Sequence, residues 1–221
     1  MVGIMQPYFF PYIGYFQLID SVDTYVNLDH VSFMKRSYMT RNTLKNNTTI
    51  NVNVWKASQN KKCNEIYVNF ENNYIPNFLK TLENLYSKEL NYNIILNDII
   101  LSEFVSREIT ISEFNLNLIK RICDYLDIQT KIINTSFGLT TLKKGEGLKS
   151  ITKQLGSNVY INAIGGQSLY NKEDFKNDNI ELYFIQMGNV DFDNKYASIL
   201  DLLFRYEKSH IQKQIKNYKL I

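Results

Sequence analysis

Apolar and polar positions change period several times along the chain, between the two-residue repeat of strands and the longer repeat of helices. Helical stripes predict helices at 14–22, 77–87, 111–126, 145–155 and 196–204. Apolar or alternating runs predict strands at 2–5, 24–28, 31–33, 48–54, 64–70, 131–133, 159–161 and 180–184. Because the two kinds of element alternate for most of the length, the pattern predicts an α/β fold with a mixed or mainly parallel central sheet and flanking helices.

The length of 221 residues fits one domain, and no internal repeat or low-complexity linker divides the chain. We therefore predict a single domain over 1–221. The helical middle, 76–126, could cap the sheet without forming a separate domain. The basic tail beyond the last predicted helix is expected to fray.

Charge and hydropathy exclude several classes of protein. A net charge of +3, spread along the chain, is too mild for a nucleic-acid-binding protein. The apolar start, 1–19, is interrupted by Pro7, Pro11 and two glutamines, so it fits neither a signal peptide nor a membrane-spanning helix. We expect a cytoplasmic protein without membrane insertion; the sequence does not indicate its oligomeric state.

The remaining composition gives little specific chemistry. Cys63 and Cys123 lack metal or redox spacing and are expected to be reduced, with Cys123 on the inner face of a helix. The two histidines form no metal motif, so no metal is predicted. The 16 tyrosines and 13 phenylalanines fit an AT-rich genome better than a ligand-lining role on composition alone.

The first candidate site is the loop 6–12, which leaves the first predicted strand at its carboxyl end. Ligands of open α/β sheets gather at this edge. Two prolines stiffen the loop, and its aromatic side chains could stack on a base or a sugar. The candidates for substrate binding are Gln6, Pro7, Tyr8 and Tyr12, whereas Phe9 and Phe10 fit the core equally well.

The second candidate site begins at the end of the next strand, with Asp29 and His30. A carboxylate beside an imidazole can orient or accept a proton, so both are candidate catalytic residues. Arg36 and Arg41 carry guanidinium forks suited to phosphate, and Asn42 follows them. A hairpin with a solvated basic flank is the alternative.

The third candidate site follows the strand at 159–161 and contains a Gly-Gly pair. Glycines allow close approach of the backbone, and free amides there could bind an anion, although a tight turn is the alternative. The candidates for substrate binding are Asn162, Gly165, Gly166, Gln167, Ser168 and Tyr170. The segment 143–147 precedes a helix, where a flexible loop is favoured over a phosphate site.

Three stretches, in this order and spacing, resemble the WbqC-like protein family. The first, 3–16, has a Gln-Pro, Pro-aromatic and Gly-Tyr pattern. The second begins at Asp29 and continues through Val31, Phe33, Lys35, Arg41 and Asn42; the third runs from Tyr160 through Gly165, Ser168 and Tyr170 to 198–203. Two positions depart from the pattern. Met5 stands where many relatives have His, so no role of that His carries over, and Asp29-His30 stands where relatives often have paired aspartates.

The resemblance implies a role in bacterial surface polysaccharide synthesis, such as that of O-antigen lipopolysaccharide or capsule. It also implies modification of an amino sugar, since relatives are linked with attaching an amino acid such as glycine to the sugar amine. The implied substrate is a nucleotide-linked amino sugar. The resemblance does not fix the donor: a thioester of coenzyme A or of an acyl or peptidyl carrier protein, or an activated amino acid, would serve.

One hypothesis joins these sites into an N-acyltransferase or aminoacyltransferase. Asp29 or His30 would take the proton of the sugar amine, and amides of Gly165 and Gly166 would stabilise the oxyanion. Arg36 and Arg41 would hold the diphosphate, and the loop 6–12 would hold base or sugar. The first alternative is a partner protein that binds sugar or carrier without chemistry; the second is transfer or hydrolysis through a cysteine.

Overall fold

A computed structural model describes residues 1–135 and 144–221, apart from the side chain of Lys144. The strands of this part are β1 (Val2–Met5), β2 (Thr24–Asn27), β3 (Arg41–Thr43), β4 (Thr49–Asn51), β5 (Lys131–Asn134), β6 (Val159–Ala163), β7 (Glu181–Met187) and β8 (Tyr218–Leu220). Its α-helices are α1 (Ile13–Asp20), α2 (Tyr74–Tyr86), α3 (Tyr92–Ile95), α4 (Ile111–Tyr125), α5 (Lys144–Gln154), α6 (Lys172–Lys176), α7 (Ile199–Arg205) and α8 (Lys208–Ile215). A π-helical segment, Leu96–Ile100, continues α3.

Six strands form the central sheet in the order β5-β2-β1-β6-β7-β8, and β3 pairs with β4 in a separate hairpin. The first five strands are mutually parallel, whereas β8 runs antiparallel to β7. The predicted α/β class with a mainly parallel sheet is therefore confirmed. The strand order reverses between β1 and β6, so the sheet has a topological switch point at their carboxyl ends.

The alternation of side chains along the strands divides the core between the two faces of the sheet. Val2 and Ile4 of β1 pack on one face with residues of α5 and α6. The opposite face is larger and carries α1, α2, α4, α7 and α8. Connections after β1 and β6 therefore lead to opposite faces, α1 on one and α6 on the other. Such a divergence opens a crevice above the sheet.

Several predicted elements are wrong or displaced. The segment 64–70 is not a strand: it begins with a 3₁₀ turn and makes only isolated bridges, because it lies outside both sheets. For the same reason, the segment 31–33 makes a single bridge to Lys62. The predicted strand at 48–54 shortens to β4, which pairs with β3, where no strand was predicted.

The C-terminal region differs most from the prediction. The helix expected from 196 begins at Ile199, because Ser198 accepts a hydrogen bond from Leu200 N at 3.3 Å and caps it. The tail does not fray: Ile211 and Ile215 of α8 are buried in the core, and β8 extends the sheet. Helices α3 and α6 were not predicted.

The helix predicted at 111–126 is confirmed. Helix α4 begins after Thr110, whose hydroxyl accepts a hydrogen bond from Glu113 N at 3.2 Å, and Cys123 faces its buried side. Across 1–135 and 144–221, none of the helices has the length and apolar character needed to cross a bilayer.

Candidate functional site

Hydrogen bonds that other residues donate to its backbone carbonyls hold the loop 6–12 in place. Asn42 Nδ2 donates to the carbonyl oxygens of Phe9, at 3.1 Å, and Phe10, at 2.7 Å. Ser198 Oγ also donates to the Phe10 carbonyl, at 2.8 Å. Phe10 has a φ of 45°, a strained conformation for a bulky residue, and these bonds maintain it. Phe9 and Phe10 are fully buried and belong to the core.

The start of the loop is anchored in the same way. Asn115 Nδ2 donates to the carbonyl of Pro7 at 3.2 Å, and Tyr15 Oη donates to the carbonyl of Gln6 at 2.8 Å. The half-buried Gln6 side chain makes no hydrogen bond with any described residue, so its amide remains available. Pro7 is buried, whereas Tyr8 and Tyr12 are half-buried and open to the carboxyl edge.

Four tyrosines, Tyr8, Tyr12, Tyr38 and Tyr196, form a tyrosine patch over this edge. The ring centroids of Tyr8 and Tyr38 lie 5.8 Å apart, and those of Tyr12 and Tyr196 lie 6.1 Å apart. Tyr38 is 63% exposed and Tyr196 is 66% exposed. Burial, and then neighbouring phenols, raise the pKa of Tyr8 and Tyr12, so both remain hydrogen-bond donors at neutral pH. Such half-exposed rings suit contact with a sugar or a base.

Asp29 and His30, which follow β2, meet Thr135, which follows the neighbouring strand β5. The Thr135 hydroxyl lies 2.6 Å from Asp29 Oδ1 and 2.7 Å from His30 Nδ1. Its only proton goes to the carboxylate, which accepts but cannot donate when ionised. His30 must therefore donate from Nδ1 to the Thr135 oxygen, and Nε2 is left as the basic nitrogen. The side chain of Asp29 is 5% exposed and that of His30 is 20% exposed.

Cys63 supports this arrangement as a neutral thiol. Its sulfur donates to the Asp29 carbonyl at 2.8 Å. Burial raises the pKa of Cys63 to about 12, the Asp29 charge adds to the rise, and a hydrogen bond with Ser112 opposes it. A thiol with this pKa is almost entirely protonated at neutral pH, so it is a poor nucleophile.

Arg36 and Arg41 border a cavity of about 260 Å³ together with Tyr38 of the tyrosine patch. Both guanidinium groups are exposed, and neither forms an ion pair within the described residues. Arg36 has a φ of 55°. Free guanidinium groups beside an aromatic wall suit an anionic ligand. Asn42 also lines this cavity, but its amide is committed to the loop 6–12.

The Gly-Gly pair after β6 lies in a 3₁₀ turn, Ile164–Gly166. A Cβ on Gly166 would stand 2.2 Å from Asn162 Nδ2, whereas the space around Gly165 is open. Asn162 is thus packed against the turn, and its Oδ1 accepts a hydrogen bond from Ala163 N at 2.8 Å. A shallow groove of about 490 Å³ follows, lined by residues that include Gln167, Ser168, Tyr170 and Lys172.

In the structure, Asp29 and His30 both contact Thr135, Arg36 and Arg41 line the same cavity, and Asn162 packs against Gly166. Sequence reasoning missed Thr135, Tyr38 and Tyr196; a threonine two residues beyond the predicted strand at 131–133 was the available signal for Thr135. In the segment 143–147, Lys143 lies outside the described residues. No group of three or more His, Cys, Asp or Glu side chains suited to a metal occurs within 1–135 and 144–221.

Known proteins match this chain over most of its length. The chain is 26% identical, over 215 residues and 92% of each chain, to the uncharacterized protein Rv1507c of Mycobacterium tuberculosis. No solved structure gives a significant match. Residues 6–213 match the WbqC-like protein family. That range contains all three candidate sites and most of the chain. The chain therefore belongs to the WbqC-like protein family.

Proposed function

We propose that the protein transfers an acyl or aminoacyl group, such as glycyl, to the amine of a nucleotide-linked amino sugar, with His30 as the general base. The observation that carries this proposal is the hydrogen-bonded chain from Asp29 through Thr135 to His30. It fixes the tautomer of His30 and leaves Nε2 to accept a proton, as in the acid-base triads of acyl-transfer enzymes. Asp29 then orients the base through Thr135 and stabilises the imidazolium.

The reaction requires a neutral amine and an activated acyl donor. In the proposed step, the amine nitrogen attacks the carbonyl carbon of a thioester while His30 Nε2 takes the amine proton. The tetrahedral intermediate then collapses, the C–S bond breaks, and the thiol leaves with the proton from His30. A thioester of coenzyme A or of a carrier protein supplies the donor.

The rest of the edge suits the remainder of the substrate. The tyrosine patch provides surfaces for sugar or base, and Arg36 with Arg41 provides positive charge for the diphosphate. The Gly165–Gly166 turn follows β6, which is two strands from β2, or roughly 10 Å at the usual strand spacing. Because of this separation, we place the turn at the nucleotide end of the substrate and no longer assign it the stabilisation of an oxyanion beside His30.

This activity fits the synthesis of surface polysaccharides in the cytoplasm, where nucleotide-linked sugars and thioesters are both present. The two cysteines are unpaired and buried, which suits a reducing compartment.

Thermal melting with matched ligands tests the proposal. A nucleotide-linked amino sugar is compared with the same nucleotide sugar carrying a hydroxyl in place of the amine. Ligands that bind only the native state raise the melting temperature. We expect a larger shift with the amine, and its acylation when thioesters are added to the wild type but not to His30→Asn. Equal acylation by His30→Asn would refute the assignment of the base, and binding without acylation by any donor would favour a non-catalytic partner.

A further inference from the structure

A further cavity, of about 280 Å³, opens between the start of α1 and the carboxyl ends of β6 and β7, next to the switch point between β1 and β6; Ile185, Gln186 and Met187 of β7 line its floor. We name it the switch cavity; its lining includes Tyr12, Gly14, Gln17, Ile164, Lys195 and Tyr196. Open α/β sheets bind ligands outside the carboxyl ends of their strands, at or beside a switch point. Its volume falls just below the roughly 300–1,000 Å³ of pockets that enclose whole drug-sized molecules, so it suits one ring system of a larger ligand.

Two tyrosine rings form part of the wall of the switch cavity, which is also lined by aliphatic and polar side chains. Tyr12 and Tyr196 face each other with centroids 6.1 Å apart and ring planes inclined by 53°. Tyr12 folds over the start of α1 because Gly14 has no side chain: a Cβ there would stand 2.4 Å from the ring of Tyr12. Tyr196 is the exposed wall and can turn to cover a planar group that enters.

Gln17 lines the same cavity, and its amide oxygen is a buried hydrogen-bond acceptor with less than 1 Å² of accessible surface. The residue is 1% exposed, and its Nε2 donates to the carbonyls of Gln214 and Asn217, both at 3.0 Å. Within the described residues no donor reaches Gln17 Oε1. A buried acceptor without a partner is costly, so this oxygen favours a ligand that brings an N–H or O–H group.

Lys195 places a positive charge beside the aromatic wall. Its ammonium nitrogen lies 5.2 Å from the centroid of the Tyr196 ring. No carboxylate of the described residues forms an ion pair with it. The charge is therefore available to a phosphate attached to a ring held in the cavity.

From these four features we infer that the switch cavity binds the nucleobase of a nucleoside diphosphate, with an N–H of the base donating to Gln17 Oε1. The inference rests on the proposed function and deepens it by assigning the nucleotide end of the substrate. Because β7 lies three strands from β2, the cavity is roughly 14 Å from the strand that carries His30. An extended ligand with a base at one end and an amino sugar at the other matches that separation.

Calorimetric titration with nucleoside diphosphates that lack a sugar amine tests this inference without requiring any transfer. The panel contains the diphosphates of the uracil, thymine, cytosine, adenine and guanine nucleosides. Tyr196→Ala removes the exposed wall, Lys195→Gln removes the charge and Gln17→Met removes the acceptor. Tyr67→Ala and Lys80→Gln, two exposed positions outside the cavity, serve as matched controls.

We expect at least one diphosphate to bind, and Tyr196→Ala to weaken it by between about 5-fold and 150-fold, the usual range for loss of base stacking. Lys195→Gln should weaken the diphosphate more than the free nucleoside, and both controls should bind like wild type. Methylation of the donating N–H of the preferred base should weaken binding to wild type but not to Gln17→Met.

Two results would overturn the inference. One is the absence of binding by every diphosphate at millimolar concentration; the other is binding that Tyr196→Ala and Lys195→Gln leave unchanged. Both variants change exposed side chains, so the conclusion does not depend on whether Gln17→Met folds. If the diphosphates do not bind, the proposed acylation by His30 can still be tested separately with sugar amines. Conversely, a His30→Asn variant that binds diphosphates normally would show that the nucleobase site is independent of the proposed base.

Discussion

The hydroxyl of Thr135 lies between Asp29 and His30, 2.6 Å from the carboxylate oxygen of one and 2.7 Å from the ring nitrogen of the other. This hydroxyl is the bridge between them, because His30 Nδ1 itself is 3.8 Å from Asp29 Oδ1, beyond hydrogen-bond distance. The three residues come from the carboxyl ends of two neighbouring strands, so the parallel sheet creates the arrangement.

Replacing Thr135 by Val should lower kcat by at least about tenfold, since the isosteric side chain removes the group that orients His30. Thr135→Ser keeps the hydroxyl and should retain most of the activity. Nitrogen-15 NMR of the imidazole gives a readout independent of turnover: Nδ1 should carry the proton in wild type and Thr135→Ser. A Thr135→Val variant with the wild-type tautomer and rate would show that the bridge is only structural.

Gly166→Ala should destabilise the fold by about 1–3 kcal/mol, the usual cost of overpacking. Its Cβ would displace Asn162 and break the hydrogen bond from Ala163 N. Gly165→Ala, one residue earlier in open space, is the matched control and should be neutral or slightly stabilising. Urea unfolding of both variants measures the difference; equal free energies of unfolding would contradict the packing described for this turn.

Asn42→Ala should destabilise the protein by about 1–3 kcal/mol, because the carbonyls of Phe9 and Phe10 would lose a buried donor. Asn93→Ala, at an exposed position in α3 whose side chain makes no hydrogen bond with the other described residues, provides the control. Thermal melting should show a lower midpoint for the first variant alone. If Asn42→Ala melts like wild type yet binds substrate poorly, its role is recognition and not support of the loop 6–12.

Native Cys63 should react very slowly with thiol reagents at pH 8, since burial raises its pKa to about 12. Cys123 is also buried, with its pKa raised for the same reason. Both thiols should react rapidly in denaturant, which a chromogenic disulfide reagent measures. Rapid reaction in the folded protein, or loss of transfer in Cys63→Ser when Cys123→Ala is active, would support the cysteine-dependent alternative.

Acid should remove a stabilising contribution from Asp178. Hydrogen bonds from Lys149 and then Lys153 lower the pKa of Asp178 to about 2. The carboxyl binds its proton more weakly in the folded state, so its contribution is complete above about pH 4 and is lost as the pH falls towards 2. Asp178→Asn should therefore show a smaller fall in melting temperature over that window than wild type. Asp124→Asn changes an exposed carboxylate that makes no ion pair with the other described residues, so it should follow wild type.

The five parallel strands of the sheet could be predicted because each combines a short apolar run with a clear end, as in β1 and β6, whereas β8 lies in a basic tail and could not. The hairpin of β3 and β4 and the bridges near Tyr67 could not, since their pairing depends on distant segments and not on local pattern. The edge of the sheet that carries the sites could be predicted because each candidate segment follows the carboxyl end of a predicted strand. Thr135 did not, because its role requires knowing that β5 lies beside β2. Similarly, Gln17 lies within a helix whose other residues read as core, and only its unpartnered oxygen distinguishes it.

The central claim is that His30, oriented through Thr135, takes the proton from a sugar amine during acyl transfer. Mass spectrometry of nucleotide-linked amino sugars incubated with acetyl and glycyl thioesters tests it most directly, with wild type, His30→Asn and Thr135→Val compared. The account predicts a mass gain of one acyl group with wild type, and a rate roughly 10²–10⁴-fold lower with His30→Asn. Acylation by His30→Asn at the wild-type rate would contradict it.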